Sequence, residues 1–354
     1  MSNFLKELAQ RLNINDLISK NLEGIEEIII IPHLSLHQIP FAALPIENGF
    51  LGDRFLIRYA PSSQILKFCH DRQQVETFQK NSLHKNSRQY GIIENATDDL
   101  YFTPFECEKI AEILPNSQRL KGRENATVSN YRQLAKQVNG LHSSHHASSR
   151  WDKPLESKLQ LGDGDITLGE LMSPSWRLPQ LDEVFLSCCE TNFGLTKITD
   201  DVLTLSAGFL CAGARSVINT LWSVDDLATA LFSMFYYQFR QEGNNRVVSI
   251  RKSQVKLRTL SGDELKNKYY DELNQMLNVK KQQANDERQA IRENLKLQTE
   301  GTPEYEELEQ KFHEIKEVVK KIGDFRDRLG ELCKLPLPFE HPMYWAAFCC
   351  QGMG

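Results

Sequence analysis

A long apolar run is what this sequence most plainly lacks: no stretch of its 354 residues is apolar over the length needed to cross a bilayer, so no transmembrane helix is expected. The N-terminal MSNFLKELAQRLNINDL sets its apolar residues at helical spacing between charges and has no continuous apolar core, so it is not read as a signal peptide. An excess of positive charge is lacking too. With 42 Lys and Arg against 47 Asp and Glu, the formal net charge is -5, which gives no general attraction to nucleic acid or to an anionic membrane. The spaced cysteine framework of a secreted scaffold is also missing. The eight cysteines include the adjacent pairs Cys188/Cys189 and Cys349/Cys350, and several lie inside apolar runs, so a reduced, cytoplasmic protein is expected. The sequence shows neither a repeat of solenoid period nor a carboxylate cluster with the loop spacing of a calcium site.

What remains is an ordinary globular composition, 40% hydrophobic and 25% charged, which argues against disordered and fibrous states. The length allows one large domain or two smaller ones. Residues 24–33, GIEEIIIIPH, form an isoleucine-rich run ended by Pro32, as in a buried parallel strand. FLIRYA (55–60) reads as a second strand, leading through Pro61 and Ser62 into the helix-like SSQILKFCHDRQQ. The alternation then repeats: YGIIE (90–94) as strand, PFECEKIAEIL (104–114) and ATVSNYRQLAKQ (126–137) as helices, then GLHSSH as strand. VFLSCC (184–189) is the next strand, VLTLSAGFLCAG (202–213) a helix, SVINTLW (216–222) a strand, and a helix runs from Asp225 toward Gln241. Such alternation predicts an α/β fold, a mostly parallel sheet flanked by helices on both faces, with ligands at the carboxyl ends of the strands. Between 262 and 333 two charged stretches with apolar residues at three- and four-residue spacing, broken at TEGTP (299–303), predict an inserted helical hairpin. After an extended LPLPFEHP, MYWAAFCC reads as the last strand.

Two strand ends carry reactive side chains: LHSSHHAS (141–148) and FLSCCETN (185–192). Alternation along a strand gives His142, Ser144 and His146 one direction and His145 the other; likewise Ser187 and Cys189 oppose Cys188. The last histidine and the last cysteine can then meet above the carboxyl edge of the sheet. A thiol of ordinary pKa is mostly protonated at neutral pH, and a nearby histidine both activates it and protonates a leaving amine, so the pair points to acyl transfer. Backbone N–H groups of Cys189 and of Ala147, just after His146, are the candidate oxyanion donors. An isolated buried Cys or His is more often structural; the pairing of two such ends is what argues for chemistry. Zinc is not expected: extended residues four apart lie roughly 13 Å apart, too far for His142 and His146 to share one ion.

At these residues the sequence resembles the CHAT peptidases (caspase, HetF, associated with tetratricopeptide repeats), relatives of caspases and separases. The stretches that carry the likeness are IPHLSLHQIPFAAL (31–44), FECEKIAEILP with LKGRENAT, LHSSHHAS, LSCCETN, AGFLCAGARSVINTLWSVDD (207–226) and HPMYWAAF (341–348). The resemblance implies a caspase-like fold, His146 and Cys189 as catalytic pair, and no cofactor or metal. His37, His142, Cys188 and Cys211 are then expected to be structural, the two cysteines in the core. TLWSVDD resembles the segment in which an acidic residue receives a basic P1 side chain, which makes Asp226, then Asp225, the S1 candidates, with Asp182, Asp200 and Asp201 behind them. Either of the first pair could instead cap the following helix. Ala147 and Asn192 depart from the glycines usual at these positions, and neither by itself abolishes the site.

The implied layout is a strand-helix part at 1–89, a catalytic core at 90–261, the hairpin insertion at 262–333 and a closing strand at 334–354. The insertion resembles that of cyanobacterial members, which suggests a bacterial source. The expected activity is hydrolysis of protein or peptide substrates, basic at P1, through a thioester, regulated by self-cleavage or by a sensor or repeat-protein partner bound at the hairpin. The stretch 74–88 and the hairpin tip near Gly301 are the expected exposed cleavage sites. The alternative is a catalytically silent scaffold that recruits partners through the hairpin.

Overall fold

The computed structural model describes residues 2–80, 88–150, 152–188 and 204–354. Cys189, Asn192, Asp200 and Asp201 therefore lie outside the described residues. The chain forms two compact units, 1–258 with 341–354, and 259–340.

The first unit is built on eight strands: β1 (Glu27–Ile30), β2 (Leu56–Tyr59), β3 (Tyr90–Glu94), β4 (Ser117–Lys121), β5 (Gly140–Ser144), β6 (Glu183–Leu186), β7 (Ser216–Thr220) and β8 (Phe348–Gly352). They lie in the order β1-β2-β8-β7-β6-β5-β3-β4, and every neighbouring pair is parallel except β7 with β8. That is the mostly parallel α/β sheet the alternation predicts. Every residue of β3, β5, β6 and β7 is buried, whereas β1 and β4 at the edges are half-exposed. At Gly140 a side chain would lie 2.3 Å from the Tyr90 ring of the neighbouring strand, so only glycine lets β5 start there.

Helices cover both faces, as two-sided burial requires. On one side α1 (Thr103–Ile113) and α4 (Asp226–Gln241) pack together and face His142 and Phe185; α5 (Arg246–Arg258) packs on α4. On the other, Leu141, Val184 and Leu186 join Tyr131 and Leu134 of α2 (Val128–Gln137) and Phe209 and Leu210 of α3 (Leu205–Ala212) in one apolar core. Thr127, Thr204 and Asp225 cap α2, α3 and α4, each side chain accepting an otherwise unpaired N–H of the first turn. Three expectations are corrected. The isoleucine-rich run read as a buried strand forms β1 at the sheet edge, half-exposed; the helix that opens at Ser63 continues past Gln74 to Lys80; and Pro342–Trp345 of the last segment is a helical turn, the strand starting only at Phe348. Proline at the first position of that turn, behind the His341 cap, favours helix over strand.

The second unit is the hairpin: α6 (Asp271–Leu295) and α7 (Pro303–Leu332), α7 opened by a Thr302 cap and Pro303. Leu277, Ala284 and Ile291, and Ile322 with Leu329, repeat at seven-residue intervals and are buried, a coiled-coil-like seam. Among the described residues no helix is long and apolar enough to cross a membrane.

Candidate active site

β5 and β6 lie side by side in parallel register, with Ser143 opposite Leu186, and the ladder ends where the Ser187 N–H donates to the Ser143 carbonyl at 2.9 Å. Beyond that point one chain runs to His146 and the other toward Cys189. The alternation argument holds as far as His145. His142 and Ser144 face α1, while Ser143 and His145 face Tyr131 of α2. The chain then leaves the strand, so His146 projects over the sheet edge rather than following His142 and Ser144 into the buried layer.

There the His146 ring meets Asp99, with Nε2 at 3.0 and 3.1 Å from the two carboxylate oxygens. A carboxylate only accepts, so Nε2 carries the shared proton. Asp99 sits on the loop that follows β3, the other strand beside β5. The loop is shaped by Asn95, which takes a left-handed conformation that asparagine tolerates. Its side chain accepts from the Leu100 N–H and donates to the Leu100 carbonyl, and its own N–H donates to the Ser144 carbonyl. Asp98, also left-handed, accepts from the Arg123 N–H. The hydrogen bond from His146, reinforced by the Thr97 hydroxyl, holds the Asp99 carboxyl down at about 2. In turn Asp99 raises His146 above its ordinary value against the effect of partial burial, and the charge of Asp226 adds to the rise. Composition and spacing gave no reason to single out Asp99; the signal that could have found it is the turn-rich NATDDL at the carboxyl end of a strand.

The backbone around His146 is pinned from below. Its carbonyl accepts from the Gln160 N–H and from His145 Nδ1, each at 2.9 Å. Burial drives His145 down to about 4, so the ring is neutral near neutral pH, and its Nε2 accepts from the Ser143 hydroxyl, which accepts from Tyr131. Ala147 is buried and pairs with Leu159 in a small three-stranded antiparallel ribbon.

The remaining candidates fall in different places. Asp226 opens α4, and its charge acts on the titration of His146. Asp225 caps α4, its carboxylate accepting from the Ala228 N–H at 3.1 Å. Asp182 lies at the opposite end of β6, buried among Arg215, Arg246 and Arg88. His142 is fully buried, and His37 is half-buried in the turn Leu34–Gln38. Cys188 is in the core, its thiol directed at the Ser143 carbonyl, whereas Cys211, one residue before the end of α3, is only half-buried and lies outside the apolar cluster, which corrects its expected place in the core. Burial pushes the thiols of Cys69, Cys107, Cys211, Cys333 and Cys350 upward, Cys69 to about 11, so none of these is an activated nucleophile.

The chain is similar to two solved structures of the Saccharomyces cerevisiae separase–securin complex and to one of the Arg-specific cysteine proteinase gingipain R. For the separase structures the identities are 18% and 16% and the TM-scores 0.40 and 0.45, over 62% and 68% of this chain. For gingipain R the identity is 10% and the TM-score 0.43, over 72% of this chain. The matches span 14%, 15% and 63% of those chains, and likenesses this distant carry no part of the argument below. No curated protein matches the chain. The family model of the CHAT domain matches residues 3–353, essentially from end to end, and the chain belongs to the CHAT domain family.

Proposed function

We propose that the chain is a cysteine endopeptidase in which Cys189 is the nucleophile and His146 its acid and base. The observation that carries this reading is the His146–Asp99 pair, held at the carboxyl edge of the sheet beside the strand that runs on to Cys189. With Nε2–H directed at Asp99, Nδ1 is the nitrogen left to exchange a proton with the thiol. The raised affinity of His146 for a proton favours a thiolate–imidazolium pair. The thiolate adds to the peptide carbonyl, and the imidazolium gives its proton to the departing amine as the C–N bond breaks, leaving a thioester. Water then adds to the thioester, losing a proton to His146, and the acid product leaves as the thiol is restored. Backbone N–H groups of Ala147 and Cys189 are the proposed donors to the oxyanion.

A basic P1 residue is the preferred substrate in this reading, because the Asp226 carboxylate is near enough for its charge to act on His146 and would suit an Arg or Lys side chain. The test is a fluorogenic peptide panel varied at P1. Turnover of Arg or Lys peptides that disappears in Cys189→Ala supports the nucleophile. A loss of about tenfold to a hundredfold in kcat/KM on those peptides in Asp226→Ala, the worth of one charge-assisted hydrogen bond, supports the pocket. If no peptide is cleaved and Cys189 is alkylated no faster than the other seven cysteines at neutral pH, the chain is a scaffold.

A further inference from the structure

Glu106 is out of place for an ordinary helix glutamate. It sits on α1 with 2% of its surface exposed, and each of its oxygens accepts a hydrogen bond from a different strand. Oε2 accepts from the Ser144 hydroxyl of β5 at 2.7 Å, and Oε1 accepts from the Ser187 hydroxyl just past β6 at 2.6 Å. His142 Nε2 lies 3.2 Å from Oε1, and the Tyr237 hydroxyl approaches the other ring nitrogen. Burial alone would push this carboxyl upward; His142 and Ser187 outweigh it and keep the group below its ordinary value, ionised at neutral pH. A buried carboxylate is costly unless fixed partners surround it, and here they do.

The positions of the two serines are what give this carboxylate a consequence. Ser144 stands two residues before His146, and Ser187 two before Cys189. The backbone ladder between β5 and β6 ends at the bond from Ser187 N–H to Ser143; past that point, among the described residues, the Cys188 thiol is directed at the Ser143 carbonyl and Glu106 joins the side chains of Ser144 and Ser187 to one another.

On the reading that His146 and Cys189 are the catalytic pair, we propose that Glu106 is a positioning residue that sets the separation of imidazole and thiol by holding Ser144 and Ser187 from beneath. In this role it acts through Ser144 and Ser187 rather than on the substrate. The effect follows from the sensitivity of proton transfer and attack to displacements of about 1 Å, which can cost on the order of a hundredfold in rate.

The test uses the full chain with Glu106→Gln, Ser187→Ala, Ser144→Ala and the double variant Glu106→Gln/Ser187→Ala, reading kcat, KM, the alkylation rate of Cys189 and the thermal midpoint. Glu106→Gln is expected to lower kcat and the alkylation rate of Cys189 by about tenfold or more, with KM within about threefold. The double variant is expected to be no slower than Glu106→Gln, because both changes break one linkage. The serine variants each remove a single hydroxyl and keep the test decisive if Glu106→Gln does not fold; each is expected to slow labelling of Cys189 severalfold. A merely structural role would lower the thermal midpoint and leave kcat and labelling within about twofold of the parent, and that result overturns the proposal. Losses that multiply in the double variant overturn it as well. A parent protein that cleaves no peptide and labels Cys189 no faster than its other cysteines overturns the catalytic reading instead, and the positioning role with it.

Discussion

Carboxylates gather at both ends of β6, and the two ends differ in what faces them. At the amino end Glu183 accepts from Tyr236 at 3.0 Å and pairs with Arg246 at 2.8 Å and Arg240 at 3.1 Å, while Asp182 is set between Arg215 and Arg246. Burial would push Asp182 and Glu183 up; the guanidinium groups overcome it and hold both below their ordinary values. Arginine keeps its charge at any pH a protein survives, so this cluster has one protonation state and one arrangement. At the carboxyl end Asp99 and Glu106 face histidines and hydroxyls instead. Histidine changes charge near neutral pH, and hydroxyls both give and take. Saturation by arginine makes a network that only holds; the Asp99 carboxylate, answered by the imidazole of His146, makes a pair able to move a proton.

That contrast can be broken by exchanging the consequences of mutation at the two ends. The largest effect expected on stability is at the amino end. Glu183→Ala deprives the buried Arg246 and the half-buried Arg240 of their shared partner, which costs about 3–5 kcal/mol. Urea unfolding should show the loss as a lower midpoint at unchanged slope, with kcat of the folded fraction within about twofold of the parent. A fall in kcat comparable to that of an active-site variant would erase the distinction between the ends.

Asp99→Asn should behave in the opposite way. The side chain is 61% exposed, so little stability depends on it, but His146 loses the group that orients it and raises its proton affinity. A decrease of about tenfold to a hundredfold in kcat/KM is expected, less than for a fully buried orienting carboxylate. The pH signature has a fixed sign. Asp99, depressed in the fold, contributes stability above its ordinary value that is lost as pH falls through about 2. His146, raised in the fold, contributes stability below its ordinary value that is lost as pH rises through its raised one. The pair is therefore fully stabilising only between the two ordinary values, roughly pH 4 to 6.5, and Asp99→Asn should differ from the parent most in that window. Following the His146 ring resonances by NMR would show its midpoint above 6.5 in the parent and lower in Asp99→Asn; an unmoved midpoint would remove Asp99 from the site.

The strands with unbroken apolar runs, YGIIE above all, and the capped helices were readable because local pattern and burial agree there. β4 was not: SQRLK is half-exposed at the sheet edge and owes its conformation to pairing with β3, which no local pattern announces. Nor was α5, whose Val247, Ile250 and Leu257 fall at helical spacing among basic residues. His146 was singled out as the last histidine of a strand end, whereas Asp99 was not, since it becomes a neighbour only once β3 is known to lie beside β5. Glu106 was hidden more deeply. On an amphipathic helix a glutamate is read as solvent-facing, and its burial makes sense only because the strands beneath it present serine and histidine where a sheet core ordinarily presents valine or isoleucine.

The smallest of these effects sharpens the contrast within the carboxyl end itself. The chain of hydrogen bonds under His146 has a single consistent direction. The His146 carbonyl can only accept, so His145 Nδ1 donates; the neutral ring must then accept at Nε2, so Ser143 donates; and the Ser143 oxygen accepts from Tyr131, whose hydroxyl burial keeps protonated. Tyr131→Phe deletes the first donor and leaves every later bond in place. A loss of about 1 kcal/mol is expected, a shift of a few degrees in thermal midpoint for a unit of this size, with kcat and the His146 titration unchanged. If kcat falls tenfold while the midpoint barely moves, the Tyr131 relay belongs to the working site alongside Asp99, and the division between proton-moving groups and their buried support has to be redrawn on the α2 side of the sheet.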